Sequence, residues 1–140
     1  MDRIYVAHSK KMNYKEELYK VIRESEELKD YNILLPHEFT NASSNPREFY
    51  KELDLFIADV TQAGTGLGIE LGWVYDDNVP IYYIYKRGSK LSNSIRCVSD
   101  KFYEYNDSES LVKILLEIIN DWKENYGNKE IYWNKWKWFR

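Results

Sequence analysis

A single glutamate follows three alternating glycines in the segment "DVTQAGTGLGIELG", which runs from Asp59 to Gly72. The apolar run "LFIA" lies directly before it, so the pattern predicts a buried strand, a glycine-rich turn and the start of a helix. Glycines leave room for a neighbouring carboxylate to approach a ligand, and a carboxylate can act as a nucleophile or as a general acid or base. Glu70 is therefore the first candidate for chemistry.

The spacing of Gly64, Gly66 and Gly68 excludes two common phosphate-binding motifs. The dinucleotide pattern G-x-G-x-x-G fails because Ile69 stands three residues after Gly66, and no G-K-[ST] follows for a P-loop. What remains is a turn at a helix N-terminus, where backbone amides and the helix dipole favour an anion. A purely structural strand-to-helix turn fits the same residues, and both interpretations stay open.

The elements that must position Glu70 follow from hydrophobic patterning. Short β-branched and aromatic runs predict strands, and apolar residues repeating every three or four positions predict helices. Asn13 and Glu16 have the spacing of a capping box at the start of the first helix. The predicted strands are 3–7, 31–36, 54–60, 79–85 and 101–105, and the predicted helices are 14–28, 46–53, one carrying Leu67, Leu71 and Val74, and one spanning 111–122.

Strands that alternate with helices predict a flavodoxin- or Rossmann-like three-layer α/β fold with a five-stranded, mostly parallel sheet. Ligands in such sheets bind at the carboxyl ends of strands, here the loops after Ala7, Leu35, Val60 and Tyr85. Residues 1–126 form the predicted domain. The extension 127–140 ends in "IYWNKWKWFR", whose tryptophans we expect to pack on the domain or on a partner subunit.

Composition narrows the classes of partner. The chain has 140 residues, 44% of them hydrophobic, and a formal net charge of -3, which fits one domain and argues against a nucleic acid polymer. No apolar run is long enough to span a bilayer, and the single cysteine, Cys97, fits a reducing compartment, so we expect a cytoplasmic protein without a membrane partner. Cys97 itself is expected to be buried. His8, His37 and Cys97 lack paired ligand spacing, so no metal is expected.

The segment "ADVTQAGTGLGIELG" closely resembles the signature of the nucleoside 2-deoxyribosyltransferase superfamily, especially its 2'-deoxynucleoside 5'-phosphate N-hydrolase branch. Two shorter elements agree with that branch, "IYVAHSKK" near the N-terminus and "LSNSIR" from Leu91 to Arg96. Order and spacing agree from about Ile4 to Tyr105, so the resemblance covers most of the chain.

The resemblance implies cleavage of an N-glycosidic bond without a cofactor. Glu70 would attack C1' of the deoxyribose, and water or another base would then take the sugar. Tyr5 would hydrogen-bond near the nucleophile, although a strand tyrosine also suits the core. The resemblance implies a small-molecule nucleoside or nucleotide as ligand. Ser9 and Ser92 would bind a 5'-phosphate, with Ser92 reaching in from a second subunit, so a homodimer or a higher oligomer is expected. Lys11 and Arg96 would add positive charge.

Two positions depart from the pattern. Gly64 stands where the hydrolase branch has a phosphate-binding serine, with Thr65 beside it as a possible replacement. The general acid of the family falls at Pro46, which has no proton to donate, so Glu48 or Asp59 is left as acid or orienting group. Asp59, at the carboxyl end of its predicted strand, is expected to point into the site.

Asp54 and His37 are polar residues at the ends of predicted strands. Asp54 is expected to cap or pair structurally. His37 lies at the predicted rim, either as a contact for base or phosphate or as a structural residue. The function is also open, since the chain could be a nucleotide-binding module without turnover, or a ribonucleotide hydrolase of the CMP type.

Overall fold

The computed structural model describes residues 2–38 and 46–127. Five strands alternate with four α-helices along this part of the chain. The strands are β1 (Ile4–His8), β2 (Ile33–Leu34), β3 (Leu55–Asp59), β4 (Ile81–Lys86) and β5 (Phe102–Tyr105). The helices are α1 (Lys20–Glu24), α2 (Pro46–Tyr50), α3 (Thr65–Asp76) and α4 (Ser108–Tyr126), and a 3-10 turn covers Asn93–Cys97.

The sheet has the strand order β2-β1-β3-β4-β5, and all four pairings are parallel. This is the flavodoxin-like order, in which the chain reverses its direction of winding between β1 and β3. In the register of these two strands, Tyr5 lies opposite Phe56 and His8 lies opposite Asp59. The predicted fold class is confirmed, and the carboxyl ends of β1 and β3 mark the place where a ligand is expected.

Each strand divides its side chains between two cores, because successive residues point to opposite faces of a sheet. Ile4 and Val6 pack in the core that contains buried residues of α4. Tyr5 and Ala7 pack in the other core, with buried residues of α2 and α3. This alternation decides which strand residues can meet Glu70, since Glu70 lies on α3.

The first helical segment differs from its prediction. It begins with a π-helical turn, Lys15–Tyr19, continues as α1 and ends at Glu24, because Ser25 is extended. The predicted end at Leu28 is therefore wrong, although Leu28 is buried in the core. The predicted capping box is also wrong, since the N-cap is Tyr14 and makes no side-chain cap bond.

The last helix, α4, is the longest of the described elements. Its apolar stripe from Leu111 to Trp122 is buried as the three- and four-residue spacing predicts, and Asp107 and Ser110 form a capping box at its start. No helix among residues 2–38 and 46–127 has the length and hydropathy of a membrane span. The predicted loop 41–45 and nearly all of the extension 127–140 lie outside the described residues.

Candidate active site

A cavity of about 480 Å³ opens at the carboxyl ends of β1 and β3, the edge that the sheet topology marks. Its volume lies within the range of about 300–1,000 Å³ that is usual for small-molecule sites. Its walls come from the end of β1 and the following loop, the segment after β2, the inner side of α2 and the start of α3. The lining residues are Tyr5, His8, Ser9, Lys10, Lys11, Pro36, His37, Phe49, Tyr50, Gly64, Thr65, Gly66, Leu67 and Glu70.

Glu70 meets tyrosine hydroxyls in this cavity. The hydroxyl of Tyr5 donates a hydrogen bond to Glu70 Oε2 over 3.3 Å, and it lies 3.5 Å from the hydroxyl of Tyr50. Tyr5 can do this because its position on β1 points to the core shared with α2 and α3. Tyr5 is therefore both a core residue and a hydrogen-bond partner of Glu70, since its ring is buried against Phe56 while its hydroxyl reaches the carboxylate.

The pKa of the Glu70 carboxyl is raised above its ordinary value of 4.5, chiefly because burial penalises the charged form. The hydroxyls of Tyr50 and Tyr5 and the positive charge of Lys10 act in the opposite direction, because each stabilises the ionised carboxylate. Among the described residues, Glu70 is the only carboxylate that lines the cavity. It is therefore a partly desolvated carboxylate held by neutral hydroxyls, which suits a nucleophile.

The glycine loop brings the N-terminus of α3 to the cavity. Gly64 is the N-cap, and no side chain caps the helix there, so the first backbone amides of α3 are available to a ligand. Gly64, Thr65 and Gly66 line the cavity, whereas Gly68 does not. An anion in the cavity could therefore meet the backbone of Gly64, Thr65 and Gly66, but not that of Gly68.

Ser9 explains why residue 64 is a glycine. The backbone of Gly64 is extended, so its conformation suits any residue. A Cβ at this position, however, would lie 2.8 Å from Ser9 Oγ and 3.2 Å from Ser9 Cβ. The Ser9 hydroxyl is itself occupied, since it donates to the Ala63 carbonyl and accepts from the Lys11 amide. Ser9 therefore fills the space that a serine at position 64 would need.

Two histidines that line the cavity, His8 and His37, belong to a stack of rings at the start of the first helical segment. The ring of Tyr14 stacks on His8 at 4.3 Å and on His37 at 4.8 Å, and the Tyr19 hydroxyl bonds His8 Nε2 at 2.7 Å. Burial is the main cause that lowers the pKa of both His8 and His37 below 6.5. Nearby Lys10 lowers that of His37 further. For both imidazoles this shift favours the neutral form.

The two carboxylates expected as general acid lie elsewhere. Glu48 is exposed on α2, where it pairs with Lys51, and it does not line the cavity. Asp59 is fully buried and accepts a hydrogen bond from the Tyr105 hydroxyl at 2.5 Å. The expectation that Asp59 points into the site is wrong, because Leu55 and Ile57 place its face of β3 on the side away from α3.

Several of the predicted residues lie outside the cavity. Ser92 caps the 3-10 turn by accepting from the Ser94 amide, and Arg96 lies over the ring of Phe102 at 5.1 Å. Asp54 accepts from the Arg3 amide, as expected of a structural residue. Cys97 is exposed, so its predicted burial is wrong. It is the last residue of the 3-10 turn Asn93–Cys97, in which Ile95 packs against the core while the other residues are exposed.

Sequence reasoning missed four cavity residues: Lys10, Pro36, Phe49 and Tyr50. It also named His8 only as an improbable metal ligand. The alternation along β1 predicts only that Tyr5 and Ala7 share one face, and the packing of α2 on that face brings Tyr50 to it. No group of three metal-ligating side chains occurs among residues 2–38 and 46–127.

Compared by sequence, the chain matches no family model and no curated protein. Compared by structure, it shares its fold with two solved enzymes. The CMP N-glycosidase BcmB of Clostridium botulinum superposes with a TM-score of 0.59 and 21% identity, over 81% of this chain and 98% of that one. A 2-deoxyribosyltransferase of Bacillus psychrosaccharolyticus gives a TM-score of 0.51 and 21% identity, over 78% of this chain and 89% of that one. At this level of identity the likeness concerns the fold.

Proposed function

We propose that this protein cleaves the N-glycosidic bond of a 2'-deoxynucleoside or its 5'-monophosphate through Glu70. The observation that carries the proposal is the position of Glu70, a lone carboxylate among the described lining residues, hydrogen-bonded by Tyr5 inside a cavity of about 480 Å³. The resemblance of its sequence context and the fold shared with an N-glycosidase and a deoxyribosyltransferase support the same chemistry.

The reaction has two steps. A Glu70 oxygen attacks C1' and forms an ester to the sugar while the C1'–N bond breaks, and the bond's electron pair leaves with the base, which takes a proton from solvent. Water then attacks C1', the ester breaks, Glu70 regains its carboxylate, and the water's proton returns to solvent. If a second base attacks in place of water, the product is a new nucleoside.

Positive charge and backbone amides favour a substrate that carries a phosphate. Lys10 and Lys11 line the cavity beside the uncapped start of α3, and Glu70 is the one acidic group among the described lining residues. Ser9 and Thr65 lie beside them. Because the Ser9 hydroxyl is bonded to Ala63 and Lys11, the lysines and the amides of α3 would hold most of the phosphate.

The proposal includes a homodimer in which Ser92 and Arg96 of one subunit complete the site of the other. Both residues are exposed and lie outside the cavity of their own chain. A second subunit would add the Ser92 hydroxyl to the hydroxyls already present, and the Arg96 guanidinium to a cavity that no arginine lines among the described residues.

Glu70→Gln and Glu70→Ala test the reaction. The protein is incubated with deoxynucleosides, their 5'-monophosphates and CMP, with and without a second free base, and the products are separated by chromatography. We expect the wild type to release or exchange base and either variant to lose on the order of 10⁴-fold in rate, because each removes the nucleophile. Unchanged base release in both variants would contradict the proposal.

The same incubation separates two further candidate functions. The lack of a second carboxylate among the described lining residues favours a nucleotide-binding module, which would bind nucleotide by calorimetry without releasing base. A CMP-type ribonucleotide hydrolase, suggested by the fold shared with the CMP N-glycosidase, would cleave CMP faster than dCMP.

A further inference from the structure

The helix before β3 presents aromatic side chains to the cavity. Phe49 and Tyr50 of α2 line it, while Glu48 on the same helix faces solvent. Among the described residues of α2, Tyr50 is therefore the one whose side chain brings a proton donor, its hydroxyl, toward Glu70. This is the part of the fold from which the resemblance leads one to expect a carboxylic acid.

Packing holds Tyr50 in place. Its side chain is 6% exposed. Its ring meets Tyr5 edge-on at 5.5 Å between centroids and lies 5.8 Å from the ring of Trp73 on α3. The hydroxyl of Tyr50 lies 3.5 Å from that of Tyr5, which donates to Glu70, and it lowers the pKa of the Glu70 carboxyl against the effect of burial. Hydroxyls from β1 and α2 thus approach one carboxylate from two elements.

We propose that Tyr50 is a positioning residue for Glu70 in the reaction proposed above, and that its hydroxyl and that of Tyr5 together orient the ionised carboxylate toward C1'. The role rests on the proposed function, since it gives Glu70 the geometry and charge that a nucleophile needs. A carboxylate with donors on two sides loses the freedom to rotate away from the sugar, which is the advantage of a fixed reactive group.

Tyr50 does not replace the missing acid. Burial raises the pKa of its hydroxyl well above the ordinary range, so it donates a hydrogen bond but keeps its proton. Its effect is on Glu70, because a hydrogen bond to the ionised form lowers the pKa of a carboxyl. The other groups that act on Glu70 are Tyr5 and Lys10 from β1 and the loop after it, with Tyr19 at longer range.

The consequence is a shift in the pH dependence. Removing the Tyr50 hydroxyl takes away one donor to the ionised carboxylate, so the raised pKa of Glu70 rises further. Protonated Glu70 is not a nucleophile, so activity declines as the pH falls through this pKa. The acidic limb of the profile of kcat/KM against pH must therefore move to higher pH.

Tyr50→Phe tests this role, with Tyr83→Phe as the matched control. Phenylalanine keeps the ring against Tyr5 and Trp73. The control removes a hydroxyl of the same α/β core that donates to the Ile95 carbonyl and does not line the cavity. We expect Tyr50→Phe to shift the acidic limb upward and to lower kcat/KM about 10- to 100-fold above it, as for a lost hydrogen bond to a charged group. Tyr83→Phe should leave the limb in place.

A second measurement does not depend on turnover. The carboxyl carbon of Glu70 is titrated by ¹³C NMR in wild type, Tyr50→Phe and Tyr83→Phe, and Glu70→Gln assigns its resonance. An upward shift in Tyr50→Phe alone supports the coupling even if no substrate is cleaved. Unchanged titration in Tyr50→Phe overturns the role of Tyr50, while base release by the wild type would leave the proposed function standing.

Discussion

The contact between residue 64 and Ser9 explains why residue 64 is a glycine and not the serine that the resemblance implies. The resemblance leads one to expect a serine there, yet Ser9 Oγ lies only 2.8 Å from the position that its Cβ would take. The Ser9 hydroxyl bridges the loop after β1 to the loop after β3, through Lys11 on one side and Ala63 on the other. Gly64 is therefore needed for close approach, and the bridge keeps both loops at the cavity.

Gly64→Ser should destabilise the protein by about 1–3 kcal/mol, because the new side chain forces Ser9 out of its position. Ser9→Ala should cost about 0.5–1.5 kcal/mol through its lost hydrogen bonds. The destabilisation of the double variant should be smaller than the sum of the two single-variant destabilisations, since alanine at position 9 removes the Oγ that clashes. Urea unfolding of the four proteins measures this coupling, and strictly additive costs would contradict the contact.

The carboxyl ends of the strands are joined by polar contacts on the sheet face away from Glu70. Asp59 at the end of β3 accepts from the Tyr105 hydroxyl of β5 and from the Thr61 amide. Thr61 in turn accepts from the Lys86 amide at the end of β4. Asp59 thus ties three strand ends together beneath the loops that form the cavity, which is a structural role rather than a proton-donating one.

Asp59→Asn tests this role through pH. Burial raises the pKa of folded Asp59 above its ordinary value of 3.8, in spite of the bonds from Thr61 and Tyr105. Between the unfolded and folded pKa values the folded state binds more protons, so this contribution to stability falls as pH rises. Asparagine does not titrate, so the Asp59→Asn variant lacks this pH-dependent contribution to the free energy of unfolding. The free energy of unfolding of wild type minus that of Asp59→Asn should therefore decrease as the pH rises above the unfolded pKa, and a constant difference in urea unfolding would refute it.

At the scale of the whole molecule, the proposed site extends beyond one chain. The described residues supply the Glu70 carboxylate, two tyrosine hydroxyls and two lysines, but Ser92 and Arg96 lie away from them. Two large apolar side chains of α3, Ile69 and Tyr75, are half exposed, at 50% and 56%. Exposed apolar groups beside the cavity helix are what a contact with a second copy would cover.

Mixed dimers test the shared site. Ser92→Ala and Glu70→Gln are each expected to be less active than the wild type toward a 5'-monophosphate. If Ser92 acts in the partner's cavity, mixing the two variants creates dimers with one intact site, so activity should exceed that of either variant alone. Sedimentation shows whether dimers form. Full activity of Ser92→Ala, or a monomer with wild-type activity, would contradict the shared site.

Local patterns were enough to derive the fold and to single out Glu70. The spacing of apolar residues along the chain predicted the five strands, the parallel sheet and the buried stripe of α4. Glu70 stood out for the same reason, because its glycine context is contiguous. The end of the first helix was mispredicted, since the apolar Leu28 continues the helical spacing although the chain is already extended at Ser25.

The partners of Glu70 could not be derived in this way, because they depend on contacts between residues distant in the chain. Tyr5 and Tyr50 are joined to Glu70 by the packing of β1, α2 and α3, and no spacing within one segment records that meeting. The alternation of side chains along β3 places Asp59 on the sheet face away from α3. The orientation of α2 exposes Glu48 to solvent, so neither expected acid lies in the cavity. Periodicity along the chain therefore specified the elements, and a contiguous glycine context singled out Glu70, whereas packing between elements determined the side chains that surround it.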